Sequence, residues 1–147
     1  MTIAAWAGLP LGAQTYVMGI VNVTPDSFSG DGVGDDAARA ADQARAMADA
    51  GAALIDIGGE STRPGATPVD AAAERDRVIP ALRAMKASAP DALISIDTMK
   101  ASVAAAALDA GAAIVNDVTG FSFGPEMAAL CAARGAPVVL MHNAARA

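Results

Sequence analysis

One pattern recurs three times along the chain. Asp49-Ala-Gly-Ala-Ala-Leu-Ile-Asp-Ile57 is echoed by Asp109-Ala-Gly-Ala-Ala-Ile-Val-Asn-Asp117 and, more loosely, by Ala133-Arg-Gly-Ala-Pro-Val-Val-Leu-Met141. In each, a helical stretch ends at a glycine (Gly51, Gly111, Gly135) and a short apolar, β-branched run follows. Glycine closes a helix because it accepts the left-handed conformation without a Cβ penalty. The runs that follow read as strands buried on both faces. Helix–glycine–strand, repeated, calls for parallel strands joined by right-handed crossovers.

The pattern predicts strands near Val17–Asn22, Ala53–Ile57, Leu93–Asp97, Ala113–Asn116 and Pro137–His142. Four helices lie between them. The first spans about 35–50, with Asp at its positive N-terminal end. The second spans roughly Asp70–Ser88, with Val78, Ile79, Leu82 and Met85 as its apolar stripe and a bend or break expected at Pro80. The third follows Thr98 and is almost all alanine; the fourth begins near Pro125. The segment before Asp26 carries no charged side chain, yet Gly8, Pro10, Gly12 and Gln14 interrupt it and no early Lys or Arg is present. It fits a short hairpin or strand leading into the core rather than a secretory signal.

Two architectures compete for this alternation: a doubly wound sheet of five strands, and part of an eight-stranded barrel. After the fifth strand only Asn143–Ala147 remain, without the covering helix a complete five-stranded sheet would add. Residues 1–147 are therefore expected to be the N-terminal part of a (β/α)8 TIM barrel, holding five strands and four helices and ending after strand five.

Composition narrows the function classes. The formal net charge is −6 and the basic residues are scattered, which argues against a nucleic-acid partner. No stretch is long and apolar enough for a membrane span. The single cysteine, Cys131, excludes an internal disulfide, fits a reducing, cytoplasmic setting, and reads as a packing residue.

The predicted strands end in polar residues: Asn22, Asp56 with the following Gly-Gly-Glu-Ser-Thr-Arg-Pro-Gly65, Asp97-Thr98, Asn116-Asp117 and His142-Asn143. In a parallel barrel these ends meet at one mouth, where such folds carry their chemistry. Asn22 is either an anchor for the loop at Pro25 or an oxygen ligand to Mg²⁺. Asp97 is either a helix cap, a task Thr98 can perform equally well, or a carboxylate accepting two N–H bonds from a flat aminopyrimidine-type ring. Asn116 adds a donor and an acceptor edge to the same ring. Asp117 is expected to face the wall and stabilise its loop. Arg63 suits an anionic group, or else pairs with a nearby acid such as Glu60, and Asp56 and Glu60 are candidates to support the residues around them. His142, the single histidine, is a weaker candidate.

These residues resemble the dihydropteroate synthases of the pterin-binding family. The matching pieces are Met18–Phe28, Ile55–Gly65, Ile94–Thr98 and Ile114–Asp117, in that family's order and spacing. The resemblance implies a transferase of folate biosynthesis that joins a dihydropterin diphosphate to 4-aminobenzoate, releases diphosphate, uses Mg²⁺ and is often a homodimer. It implies that Asn22 ligates Mg²⁺ and that Asp97 and Asn116 hold the pterin. Thr62 and Arg63 would lie near the diphosphate and the aminobenzoate, where sulfonamides also bind. No covalent enzyme intermediate is implied, and no catalytic side chain is singled out.

Three departures stand out. Ser29-Gly-Asp-Gly32 shifts the acid of the first loop, Met141-His-Asn-Ala-Ala145 keeps only the start of the family's pattern, and the family's later Lys and Arg/His motifs are absent. The expectation is that these 147 residues alone lack synthase activity, and that the open strand edges favour aggregation or dimerisation. The alternatives are a non-catalytic pterin-binding half-barrel and a pterin-dependent methyltransferase domain.

Overall fold

In a computed structural model the described residues are 5–12, 14–24, 33–61 and 65–142. A hairpin of β1 (Ala5–Trp6) and β2 (Leu9–Pro10) opens the chain, as expected for the uncharged leader. Then come β3 (Met18–Asn22), α1 (Val33–Asp49), β4 (Leu54–Gly58), α2 (Ala71–Ser88), β5 (Leu93–Asp97), α3 (Ala101–Asp109), β6 (Ile114–Asp117), α4 (Glu126–Arg134) and β7 (Val138–Leu140). The sequence placed each of these within a few residues.

The three repeats fold alike, down to single hydrogen bonds. Ala52 N–H donates to Met47 O at 2.9 Å, Ala112 N–H to Ala107 O at 2.9 Å, and Ala136 N–H to Cys131 O at 3.0 Å. Each bond spans five residues around a left-handed glycine, with φ of 95° at Gly51, 110° at Gly111 and 59° at Gly135. This closure satisfies carbonyls the helix leaves unpaired and turns the chain back into the sheet.

β3 to β7 form one parallel sheet in sequential order. That order settles the competition between architectures. A doubly wound sheet reverses direction at a switch point and covers both faces with helices. Here the order never reverses, so crossovers of one hand keep every helix on the same side. One face supplies Val21, Ile55, Ile57, Ile94, Ile96 and Val115 to a core shared with all four helices. Each fully buried Ile or Leu there contributes about 2–3 kcal/mol. On the opposite face, Ile20 of β3 is 56% exposed. The sheet is an arc of a barrel, helices outside and the open face inward.

The helices fit their places by side-chain size. α1 buries Ala40 and Ala44, and α3 buries Val103, Ala104 and Ala107, small residues that bring the backbones close to the sheet. Of the bend or break expected at Pro80, the break does not occur: α2 runs through it as one helix. Pro80 and Asp76, whose carbonyl the missing N–H would have met, are both exposed, so the lost bond falls where water replaces it.

Candidate functional site

Strand pairing arranges the inward-facing residues in layers. Ile20, Asp56, Ser95 and Ile114 lie level in the middle of the sheet; Asn22, Gly58, Asp97 and Asn116 lie level at its carboxyl end. Residues two apart share a face of a strand, so the upper layer stands directly above the middle one.

Asp56 organises both layers. Its carboxylate accepts from Ser95 Oγ and, at 2.9 Å, from Asn116 Nδ2. Asp56 is 4% exposed, and burial raises its pKa against the opposing pull of those two hydrogen bonds. The bond to Asp56 spends one N–H of Asn116 and fixes the amide plane. The second N–H and the carbonyl oxygen remain to meet a ligand.

Gly58 opens the upper layer. A Cβ built on it would lie 3.5 Å from Asp97 Oδ2 and 3.7 Å from Asn22 Oδ1. The glycine thus leaves a gap on β4 into which an oxygen from each neighbouring strand leans. Asp97 Oδ1 is buried and accepts no hydrogen bond. Burial, then the neighbouring carboxylates Asp56, Glu74, Asp117 and Glu60, push the Asp97 pKa up to about 7. An unpaired buried carboxylate oxygen is costly unless something supplies its donor.

Neither Asp97 nor Thr98 caps α3: its N-cap residue is Lys100, which makes no side-chain cap bond, while Thr98 Oγ1 accepts from Lys100 N–H at 3.2 Å in the turn that precedes the helix. Asp117 faces the wall as expected and ties down its loop. It accepts from Thr119 N–H at 2.8 Å, Thr119 Oγ1 at 2.7 Å and Phe121 N–H at 3.1 Å. Phe121 is held there at a φ of 65°, which only a well-anchored turn tolerates in a side chain of that size. Cys131 is buried in the core, and burial with Asp117 nearby raises its thiol pKa, consistent with packing rather than nucleophilic use. His142 is exposed beyond the end of β7. Thr62 and Arg63 lie outside the described residues, as do Pro25–Phe28 of the first motif.

Behind the mouth, Lys100 carries two carboxylates that sequence reasoning did not assign to it. Its ammonium pairs with Glu60 Oε2 and, at 2.6 Å, with Glu74 Oε2. Burial opposes its charge, but the two glutamates outweigh that and raise its pKa. Glu60 Oε2 takes Lys100 and its Oε1 accepts from Val69 N–H at 3.2 Å; its expected pairing with Arg63 falls on a residue outside the described ones. Ser95 was likewise missed. Its signal was strand alternation: a hydroxyl two residues before Asp97 must share the face of Asp97.

No helix among the described residues is long and apolar enough to cross a membrane. Among those residues, no group of three or more His, Cys, Asp or Glu side chains is placed to hold a metal ion.

Residues 18–147 match the family model described as pterin binding enzyme. The chain is 55% identical over 134 residues to a probable bifunctional folylpolyglutamate synthase/dihydropteroate synthase of Haloferax volcanii, covering 91% of this chain and 16% of that protein. It is 50% identical over 131 residues to the dihydropteroate synthase of Synechocystis sp., covering 89% of this chain and 45% of that protein. The fold matches a Clostridium difficile dihydropteroate synthase solved in the presence of pteroic acid, with a TM-score of 0.85 and 48% identity. That match covers 90% of this chain and 50% of the other. The Xanthomonas albilineans enzyme solved with 4-aminobenzoic acid matches with a TM-score of 0.79 and 43% identity, over 90% of this chain and 48% of that one. The chain spans less than half the length of the curated relatives it matches. Layered strand ends, a family model covering nearly the whole chain and identities of half or more agree: the chain belongs to the pterin-binding enzymes.

Proposed function

We propose that this chain forms the pterin-reading part of a dihydropteroate synthase, the enzyme that joins a dihydropterin diphosphate to 4-aminobenzoate. One observation carries the reading. Above Gly58, Asp97 Oδ2 and Asn22 Oδ1 lean into a common gap, beside an Asn116 amide already oriented by Asp56, while the other Asp97 oxygen, Oδ1, is buried without a donor. A flat ring bearing adjacent N–H donors supplies what Asp97 lacks, and the remaining edge of Asn116 reads the ring's next donor and acceptor. Each group has a fixed direction, so the pair discriminates by geometry as well as by charge.

The donors present also suit Mg²⁺. Asn22 Oδ1 is a hard oxygen at the exposed end of β3. Mg²⁺ usually takes one or two protein oxygens and fills its sphere with water and phosphate. Bound there with the substrate, Mg²⁺ would neutralise charge on the departing diphosphate. In the reaction, the bond between the pterin methylene carbon and the diphosphate oxygen breaks, and the arylamine nitrogen bonds to that carbon and loses a proton. Asp97 and Asn116 hold the ring through this exchange. Thr62 and Arg63 are the residues we assign to the diphosphate and the aminobenzoate.

Calorimetric titration with 6-hydroxymethylpterin and with its diphosphate tests the reading. The chain should bind both, and Asp97→Ala should weaken both by roughly 30- to 150-fold, the loss of about 2–3 kcal/mol from charge-assisted hydrogen bonds. Mg²⁺ should strengthen only the diphosphate form, and Asn22→Ala should erase that gain. Failure of the folded parent chain to bind either pterin would overturn the proposal.

A further inference from the structure

The cluster around Lys100 joins the exit of β4, the first turn of α2 and the turn that follows β5. Glu60 begins the segment leaving β4, and Val69 ends it just before α2. The Glu60 side chain closes that neck, because its Oε1 accepts from Val69 N–H at 3.2 Å. Its other oxygen takes the ammonium of Lys100, three residues beyond Asp97. Lys100 also reaches Glu74 Oε2 at 2.6 Å, on the first turn of α2. The side chains of Lys100, Glu60 and Glu74 are 14%, 12% and 0% exposed. Arg77 of α2 adds a bond to Gly59 O at 3.1 Å. Gly59 sits so close to α2 that a Cβ would fall 2.6 Å from Val78 Cγ1.

A single exposed ion pair would mean little. Here one ammonium is shared by two carboxylates of low exposure from two different elements, and its removal strands both. We infer that Lys100 is a positioning residue, holding the two ends of segment 60–69 in fixed relation to Asp97. The inference rests on the proposed function for its catalytic meaning. Segment 60–69 includes Thr62 and Arg63, so Lys100 would link the ring-binding end of β5 to the residues assigned to the second substrate.

Amide hydrogen exchange by NMR tests the link directly. In Lys100→Met and in Glu60→Gln, the Val69 amide should exchange at least tenfold faster than in the parent, while Ile94 and Ile96 of β5 keep their protection. Lys100→Arg should restore Val69 to within about threefold of the parent. Glu60→Gln keeps the acceptor for Val69 and the Lys100–Glu74 pair, so it decides the matter should Lys100→Met fail to fold. Unchanged Val69 exchange in the folded variants would overturn the inference. With 6-hydroxymethylpterin bound, Lys100→Met should weaken 4-aminobenzoate at least tenfold and the pterin less than threefold; equal losses would also overturn it. Absence of pterin binding to the parent chain would defeat the functional reading instead, and the exchange comparison would still decide the link.

Discussion

Asp97 makes the stability of this chain depend on pH in a direction opposite to that of most surface carboxylates. Its pKa rises from 3.8 to about 7 on folding, through burial first and neighbouring carboxylates second. Below about pH 4 the group is protonated in both folded and unfolded chains and costs nothing. As pH climbs towards 7 the unfolded chain ionises while the folded one keeps its proton, so stability falls by about 1.4 kcal/mol per unit. Above 7 the full cost is present. Solvent reaches the mouth and screens part of it, which leaves about 2–3 kcal/mol between pH 4.5 and pH 8. Asp97→Asn removes the titration and keeps the shape. Urea unfolding of parent and variant at both pH values isolates the effect, because Asp56 and the other carboxylates remain in each. The variant should gain about 2–3 kcal/mol relative to the parent on going from pH 4.5 to 8, a midpoint difference of about 1–2 M urea. The same proton opposes a ligand that donates N–H bonds to the carboxylate. Pterin affinity of the parent should therefore rise towards pH 7 and then level, while that of the variant stays low and flat. Identical pH dependence of unfolding in the two chains would refute the argument, since Asp97 would then be ionised in the fold well below pH 7.

The two adjacent glycines of β4 and its exit should respond differently to alanine. Gly59→Ala should cost about 1–3 kcal/mol in thermal or urea unfolding, because its methyl meets Val78 at 2.6 Å. Gly58→Ala makes only ordinary 3.5–3.7 Å contacts and should leave stability nearly unchanged, while its methyl fills the gap between Asn22 and Asp97 and weakens pterin binding in calorimetry. Ser95→Ala removes one of the two donors to the buried Asp56 and should cost about 1–3 kcal/mol in urea unfolding; no loss would show that Asp56 does not need it.

Much of the fold was legible because its information is local. Gly51, Gly111 and Gly135 each end a helix by the same backbone bond, and a short apolar run follows each, so element order and strand direction follow from spacing alone. The inward positions of Asn22, Asp97 and Asn116 were legible for the same reason, since a polar side chain closing a buried strand has few places to go. The roles of Lys100 and Glu74 were not. Lys100 meets carboxylates 40 and 26 residues away, and nothing in the neighbourhood of Glu74 distinguishes it from a solvated surface acid. Pro80 shows the converse: a strong local signal lost its force because the exposed face of α2 absorbed the missing bond.

The repeat itself conceals the step that builds the site. Asp56 and Asn116 occupy the same place in two copies of the pattern, so an unstaggered sheet would set them level, two strands or roughly 10 Å apart. Pairing instead aligns Asp56 with Ser95 and Ile114, and Asn116 with Asp97. The second copy is displaced by two residues relative to the first, the stagger that a sheet requires in order to curl into a barrel. Two consequences follow from that one displacement. Asp56 drops beneath the mouth, where its carboxylate meets Ser95 beside it and Asn116 above it. Gly58 takes its place at the level of Asn22 and Asp97, so the strand between them contributes no side chain there. Curvature thus both orients the amide proposed to meet the ring and clears the space the ring would occupy, from residues whose repeat pattern alone would have made them equivalent.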